Sequence, residues 1–161
     1  MYVEFDKMPE HARVWVYQAE RTLSKDEVDQ VKSRLTTFCE GWNTHGNLMP
    51  TSFNIIEDQI ILFAVDESNL GASGCSIDSS VRLLRELESQ LGIDLTNQGK
   101  VSYKNENEIK VSPALGIKSK VLSGEISTDT EVINPLIKEK SDLNQLWIPA
   151  KSSWLNRFFP N

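Results

Sequence analysis

Phe53-Asn-Ile-Ile-Glu-Asp-Gln-Ile-Ile-Leu-Phe-Ala-Val65 is the stretch on which the fold of this chain turns. Two runs rich in β-branched and aromatic residues, Phe53-Asn-Ile-Ile56 and Ile60-Ile-Leu-Phe-Ala-Val65, flank the short polar interruption Glu57-Asp-Gln59, a pattern that predicts a hairpin. The second run has no polar residue on either of its alternating faces, so its strand needs cover on both sides. A sheet with material packed above and below follows.

Working outward, Arg13-Val-Trp-Val-Tyr-Gln-Ala19 reads as an earlier strand. Ser24-Lys-Asp-Glu27 is a capping box, in which hydroxyl and carboxylate satisfy the first free backbone N–H groups of a helix. Val28, Val31, Leu35, Phe38, Cys39 and Trp42 then recur at spacings of three and four, giving that helix one apolar stripe. Ile77, Val81, Leu84, Leu87 and Leu91 form a second stripe, with Ser76 or Asp78 as the expected cap and Gly92 able to end the helix left-handed. Val101-Ser-Tyr103 and Glu108-Ile-Lys-Val111 bracket Asn105-Glu-Asn107 as another hairpin. Ser112-Pro113 offers an N-cap with proline at the first helical position, and Gly124 closes this short helix. A short strand at Glu131-Val-Ile133 and a tail with Trp147, Trp154, Phe158 and Phe159 complete the chain.

The class is α+β. Through residue 104 the order is strand, helix, strand, strand, helix, strand, which matches the split βαβ arrangement of ferredoxin-like sandwiches. Residues 1–99 are read as this α+β core, and residues 100–161 as a small C-terminal portion packed closely on it, since no low-complexity linker separates them.

The 161 residues suffice for a core without staples, and 39% apolar against 25% charged residues exclude general disorder. With 17 basic and 23 acidic residues the net charge is −6, and no basic cluster offsets it, so neither nucleic acid nor an anionic membrane is an expected partner. The acidic start Met1-Tyr-Val-Glu-Phe-Asp-Lys7 is unlike a secretory leader. The longest apolar run, Ile60 to Val65, falls far short of the roughly 20 residues of a membrane helix. Cys39 and Cys75, the two cysteines, are read as reduced thiols. These features point to the cytoplasm and to no membrane insertion.

Gly71-Ala-Ser-Gly-Cys-Ser-Ile-Asp78 lies between a buried strand and a helix, where a phosphate-cradling loop would sit. Its opening is similar to the phosphate loop of transporter ATPases, yet Ser76, Ile77 and Asp78 stand where that loop needs glycine, lysine and a hydroxyl residue. Without the lysine, and with Asp78 repelling phosphate, ATP hydrolysis is excluded. Together with Met1-Tyr-Val-Glu-Phe5, Trp42-Asn-Thr-His-Gly46, Val65-Asp-Glu67 and Pro149-Ala-Lys-Ser-Ser-Trp154, this loop makes the chain resemble a family of small uncharacterised bacterial proteins commonly labelled "ABC transporter ATPase". The false phosphate loop accounts for that label. The resemblance implies no activity, and no cofactor is implied.

Two chemistries remain open at the loop. Cys75 near a helix N-terminus has a setting that favours thiolate, and His45 could act as base with Asp66 or Glu67 orienting its ring, giving a thiol-dependent enzyme. Alternatively, Gly71, Ser73, Gly74, Ser76 and Asp78 mark a nest that holds an anion through backbone N–H groups alone. The bland alternatives are a structural cysteine and a glycine-permissive turn. His45, Asp66, Cys75 and Asp78 lack metal-ligand spacing, and no metal site is expected.

Val101-Ser-Tyr103, Gly124-Glu-Ile-Ser-Thr-Asp-Thr-Glu-Val132 and Trp147-Ile-Pro-Ala150 make the C-terminal third resemble a GYF-type module. That resemblance implies a small protein-interaction domain, although the Gly-Pro and clustered aromatics that grip proline-rich ligands are missing. Trp147, Trp154, Phe158 and Phe159 either dock a partner or tie the tail down. The reading is a non-catalytic protein-interaction or binding module, engaging an unidentified protein partner or a second copy of itself.

Overall fold

The computed structural model describes residues 1–44, 46–68 and 74–160, and of residues 43, 44 and 74–76 the backbone alone. Strand β1 (Arg13–Gln18) leads to helix α1 (Lys25–Gly41), then to a two-stranded ribbon of β2 (Asn43–Thr44) and β3 (Asn47–Leu48). The hairpin follows as β4 (Thr51–Ile56) and β5 (Ile60–Val65), and after it helix α2 (Gly74–Leu91).

β5 is the centre of the molecule. It pairs antiparallel with β1 on one side and β4 on the other, and every one of its residues is buried. Ile61, Phe63 and Val65 enter one apolar cluster beneath α1 and α2, while Ile60, Leu62 and Ala64 enter a second on the opposite face. The alternation of a strand thus divides its six apolar side chains between two cores. Each such burial stabilises by roughly 1.5–3 kcal/mol for the larger side chains. Glu57 and Asp58 make the turn in the left-handed region, at φ 52° and 56°.

The helices are fixed by their ends as well as their stripes. Ser24 Oγ accepts from the Glu27 N–H at 3.2 Å, and Glu27 Oε1 accepts from the Ser24 N–H at 2.9 Å. The expected capping box is present, and Val28, Val31, Leu35 and Cys39 face inward. Gly92, at φ 64°, closes α2 with its N–H on the Glu88 carbonyl. The start of α2 differs from expectation. The helix already begins at Gly74, so Ser76 and Asp78 lie inside its first turns and neither is the cap.

From residue 100 the chain builds a second antiparallel sheet, ordered β7-β6-β8-β9. Its strands are β6 (Lys100–Asn105), β7 (Glu108–Pro113), β8 (Glu131–Ile133) and β9 (Trp147–Pro149), with the short helix α3 (Ile117–Leu122) between β7 and β8. Ser112-Pro113 does not open that helix. Both residues remain paired with β6, the Ser112 hydroxyl donates to the Pro113 carbonyl, and a 3-10 turn at Ala114–Gly116 comes first. A ferredoxin-like order would seat the fourth strand against β1, whereas β6 pairs with β7 and β8. The architecture is α+β with two main antiparallel sheets, and the second apolar cluster lies between them, joining Val14, Leu62 and Ala64 to Val101, Tyr103 and Val132. No helix among the described residues is long and apolar enough to cross a membrane.

The reason for the split lies along β1. Ala19 N–H donates to Gln59 O, which sets the odd residues of β1 toward β5 and turns the even ones outward. At one end of this outer edge, Val14 N–H donates to Lys138 O and Lys140 N–H to Ala12 O, so residues 138–140 already occupy it. At the other end, the Gln18 side chain does what a strand backbone would. Its amide donates to Lys100 O at 3.3 Å and accepts from Ser102 N–H at 2.9 Å and Ser102 Oγ at 2.6 Å.

Candidate functional site

The end of β5 collects polar side chains. Asp66 accepts from the Ser68 N–H at 2.9 Å and, in a shorter contact, from the Ser68 hydroxyl. His11 Nε2 lies 2.6 Å from Ser68 Oγ and 3.7 Å from Asp66 Oδ1. Hydrogen bonding from Ser68, aided by His11, holds the Asp66 carboxyl below the usual carboxylate range. Nearby, Arg13 reaches Glu67 at 3.4 Å and stacks over Trp15.

This is a serine, imidazole and carboxylate in mutual contact, but not in relay order. In a hydrolytic relay the carboxylate holds the ring nitrogen opposite the one that takes the hydroxyl proton. Here the same Nε2 faces both Ser68 and Asp66, and Asp66 engages Ser68 directly. The cluster therefore serves to hold the residue 66–68 turn against the lead-in to β1. His11 is the first of two histidines in the chain and carries no motif around it. Its meeting with Asp66 comes from strand pairing, which brings Arg13 opposite Val65.

Of the residues singled out by sequence at this end, His45, Gly71 and Ser73 lie outside the described residues, as do the side chains of Cys75 and Ser76, while Gly74 is described as the first residue of α2. Asp66 is placed as above, and Asp78 is exposed on α2. Cys39 is wholly buried, and burial pushes its thiol up to about 12. That thiol is chemically quiet at neutral pH. No three His, Cys, Asp or Glu side chains among the described residues are grouped to hold a metal ion.

The aromatic tail packs on the molecule itself. Trp147, Trp154, Phe158 and Phe159 are all half-buried against the second cluster, and Trp154 meets Phe158 edge to face at 6.0 Å. Lys104 sits over the Trp147 ring at 4.9 Å. Trp154 has a further position. It forms part of the wall of a groove of about 540 Å³ that runs along the outer edge of β1.

The floor of that groove is β1 itself, residues Val14 to Gln18, and its walls mix apolar residues, among them Val101, Ile133 and Trp154, with the amides of Gln98 and Asn134. It draws on both sheets and on the tail, so no local motif announces it. Comparison with family models, with curated proteins and with solved structures finds no match to this chain. At about 540 Å³ the groove lies within the range of ligand-holding clefts, as do surface clefts of about 520 and 490 Å³ elsewhere on the molecule. Its one charged lining residue, Lys100, is buried and spends its ammonium on Asp94 at 3.2 Å. What the groove presents is thus uncharged.

Proposed function

We propose that this protein is a non-catalytic binding module that takes a polypeptide segment into the groove along β1. The observation that carries this reading is the groove itself, a cleft of about 540 Å³ lined by apolar and amide side chains without a free charge, whose floor is an edge strand. Clefts of this composition at the junction of two layers are where ligands are usually held. Two of the most exposed large apolar side chains support it: Leu115 (102% exposed) follows Ala114, and Leu136 (73%) sits between Pro135 and Ile137. Each is the chain neighbour of a residue that lines the groove.

On this reading the C-terminal portion acts as a GYF-type interaction module set on a split-βαβ core. The support is that residues 100 onward form a small sheet of their own around a short helix, and that β1, β5 and β4 keep the order expected of the first three strands. The resemblance to proteins labelled as transporter ATPases is read as one of sequence family without the nucleotide chemistry.

Panning displayed random linear peptides against the full chain tests the proposal. Enriched peptides are expected to bind the native protein and to lose at least tenfold in affinity against Ala114→Trp, which fills the groove. Trp154→Ala serves as the second variant should the first lower the unfolding midpoint. No enrichment, or binding that neither variant changes, would reject the reading.

A further inference from the structure

Resting on that reading, we infer that the occupant binds as an added β-strand, an extended, uncharged segment pairing antiparallel with β1 at Val16. The even residues of β1 turn their backbone groups outward, away from β5. Val14 N–H is already used by Lys138, and Gln18 is bridged to β6 through its side chain. Between them, among the described residues, no group pairs with the outward N–H and C=O of Val16. The Val14 carbonyl is open as well, because the Lys138 N–H that would complete the pair donates instead to Asp142 Oδ2 at 3.0 Å. The chain's own residues 138–140 thus start a strand on this edge and leave it where the groove begins.

An unpaired donor and acceptor on one edge residue are the template for strand pairing, and folded proteins usually blunt such edges. The opposite edge of the same sheet shows the contrast. On β4, Val3 and Met1 bond to Thr51, and Asn54 Oδ1 accepts from the Ile55 N–H at 2.9 Å. β1 carries no such device at Val16; it is recessed instead. Recession decides between occupants. Two copies of this chain cannot bring two groove floors together, whereas a single extended segment can enter one.

The chemistry of the segment follows from the pleat. In an antiparallel pair the residue opposite Val16 exchanges both bonds with it and points its side chain to the same face. Val16 faces the second apolar cluster, so that residue is apolar; it cannot be proline, which lacks the N–H. Since the sole lining charge is already paired with Asp94, the neighbouring residues carry no charge either. Main-chain bonds supply affinity in this mode and alternate side chains supply selectivity.

The test uses a peptide enriched by panning on the full chain, resynthesised with one backbone N-methyl group at each position in turn. One central position is expected to lose at least tenfold in affinity while its two neighbours tolerate the change. The Val16 amide is expected to exchange fast in the free protein and to slow at least tenfold on binding. If Ala114→Trp blocks the peptide but no N-methyl position matters and Val16 exchange is unchanged, strand addition is wrong and the binding-module reading stands. If the groove variants have no effect, both fall. If Val16 becomes protected with rising protein concentration alone, alongside dimers in sedimentation, the occupant is a second copy and the inference is overturned.

Discussion

The side-chain amide of Gln18 occupies a backbone position opposite Ser102, giving and taking hydrogen bonds across a gap that joins the two sheets. Gln18 is 7% exposed and Ser102 wholly buried, so nothing else can satisfy these groups. Gln18→Ala would strand the Ser102 N–H and Lys100 carbonyl, at a cost of about 2–3 kcal/mol in unfolding free energy. Ser102→Ala removes only the hydroxyl and should cost about 1 kcal/mol. Urea titrations would show the order, and equal effects from the two would mean that the backbone half of the bridge contributes nothing.

Ser52 makes the opposite case. Its hydroxyl is fully buried in β4 and has no hydrogen-bond partner among the described residues. A buried polar group in this state costs its desolvation, so Ser52→Ala should raise stability by about 1 kcal/mol. The unfolding midpoint should move up with the m-value unchanged. A lower midpoint would mean that the hydroxyl is satisfied, as by an ordered water.

The central hairpin was open to sequence reading because every signal in it is local: the period of two, the polar turn and the doubly apolar second strand. The capping box of α1 and the left-handed Gly92 are local for the same reason. What could not be read concerns partners distant in the chain. Nothing near Lys100 says that its strand joins β7 and β8 instead of β1, since that choice depends on residues 138–140 holding the β1 edge and on Gln18 reaching 84 positions to Ser102. The groove draws on β1, β6, residues 133–137 and Trp154, and the His11–Asp66 contact on strand register. The start of α2 at Gly74 is not legible in the same way, because Ser76 and Asp78 are good caps by type, and type alone does not say which residue the helix takes first.

Lys100 and Asp94 form an ion pair of unequal burial: the lysine side chain is 5% exposed and the aspartate 30%. Removing the acid leaves a buried ammonium with only the Asp94 carbonyl, at 3.3 Å, for company. Asp94→Asn should therefore cost about 1–3 kcal/mol. Lys100→Met keeps the volume, removes the charge from the groove wall and should be close to neutral. Thermal unfolding of the two variants would separate these outcomes. If Lys100→Met proved the more damaging, the ammonium would be holding the β6 end in place, beyond merely needing a partner.

Stability should be greatest between about pH 5 and pH 9, and the limits have named sources. At the acid side, Glu27 is held near 2 against an ordinary 4.5, chiefly by Arg21 and then by the Ser24 amide. A depressed carboxyl contributes stability above its unfolded pKa and loses it as pH falls toward the folded one, so this contribution fades between 4.5 and 2. Asp66, Glu125 and Asp142 are also lowered and share that limb. At the alkaline side the signs reverse. Burial raises Cys39 from 9.0 to about 12, and burial followed by the bond to Glu125 raises Tyr103 from 10.0 to about 12. Each favours the folded state below its unfolded pKa, and that advantage is lost as pH climbs through the interval. Denaturation series from pH 3 to 11 should show the alkaline decline starting near 9 in the native chain and near 10 in Cys39→Ala. Glu27→Gln should flatten the acid limb without abolishing it. An alkaline onset that stays at 9 in Cys39→Ala would show that the buried thiol is not its cause.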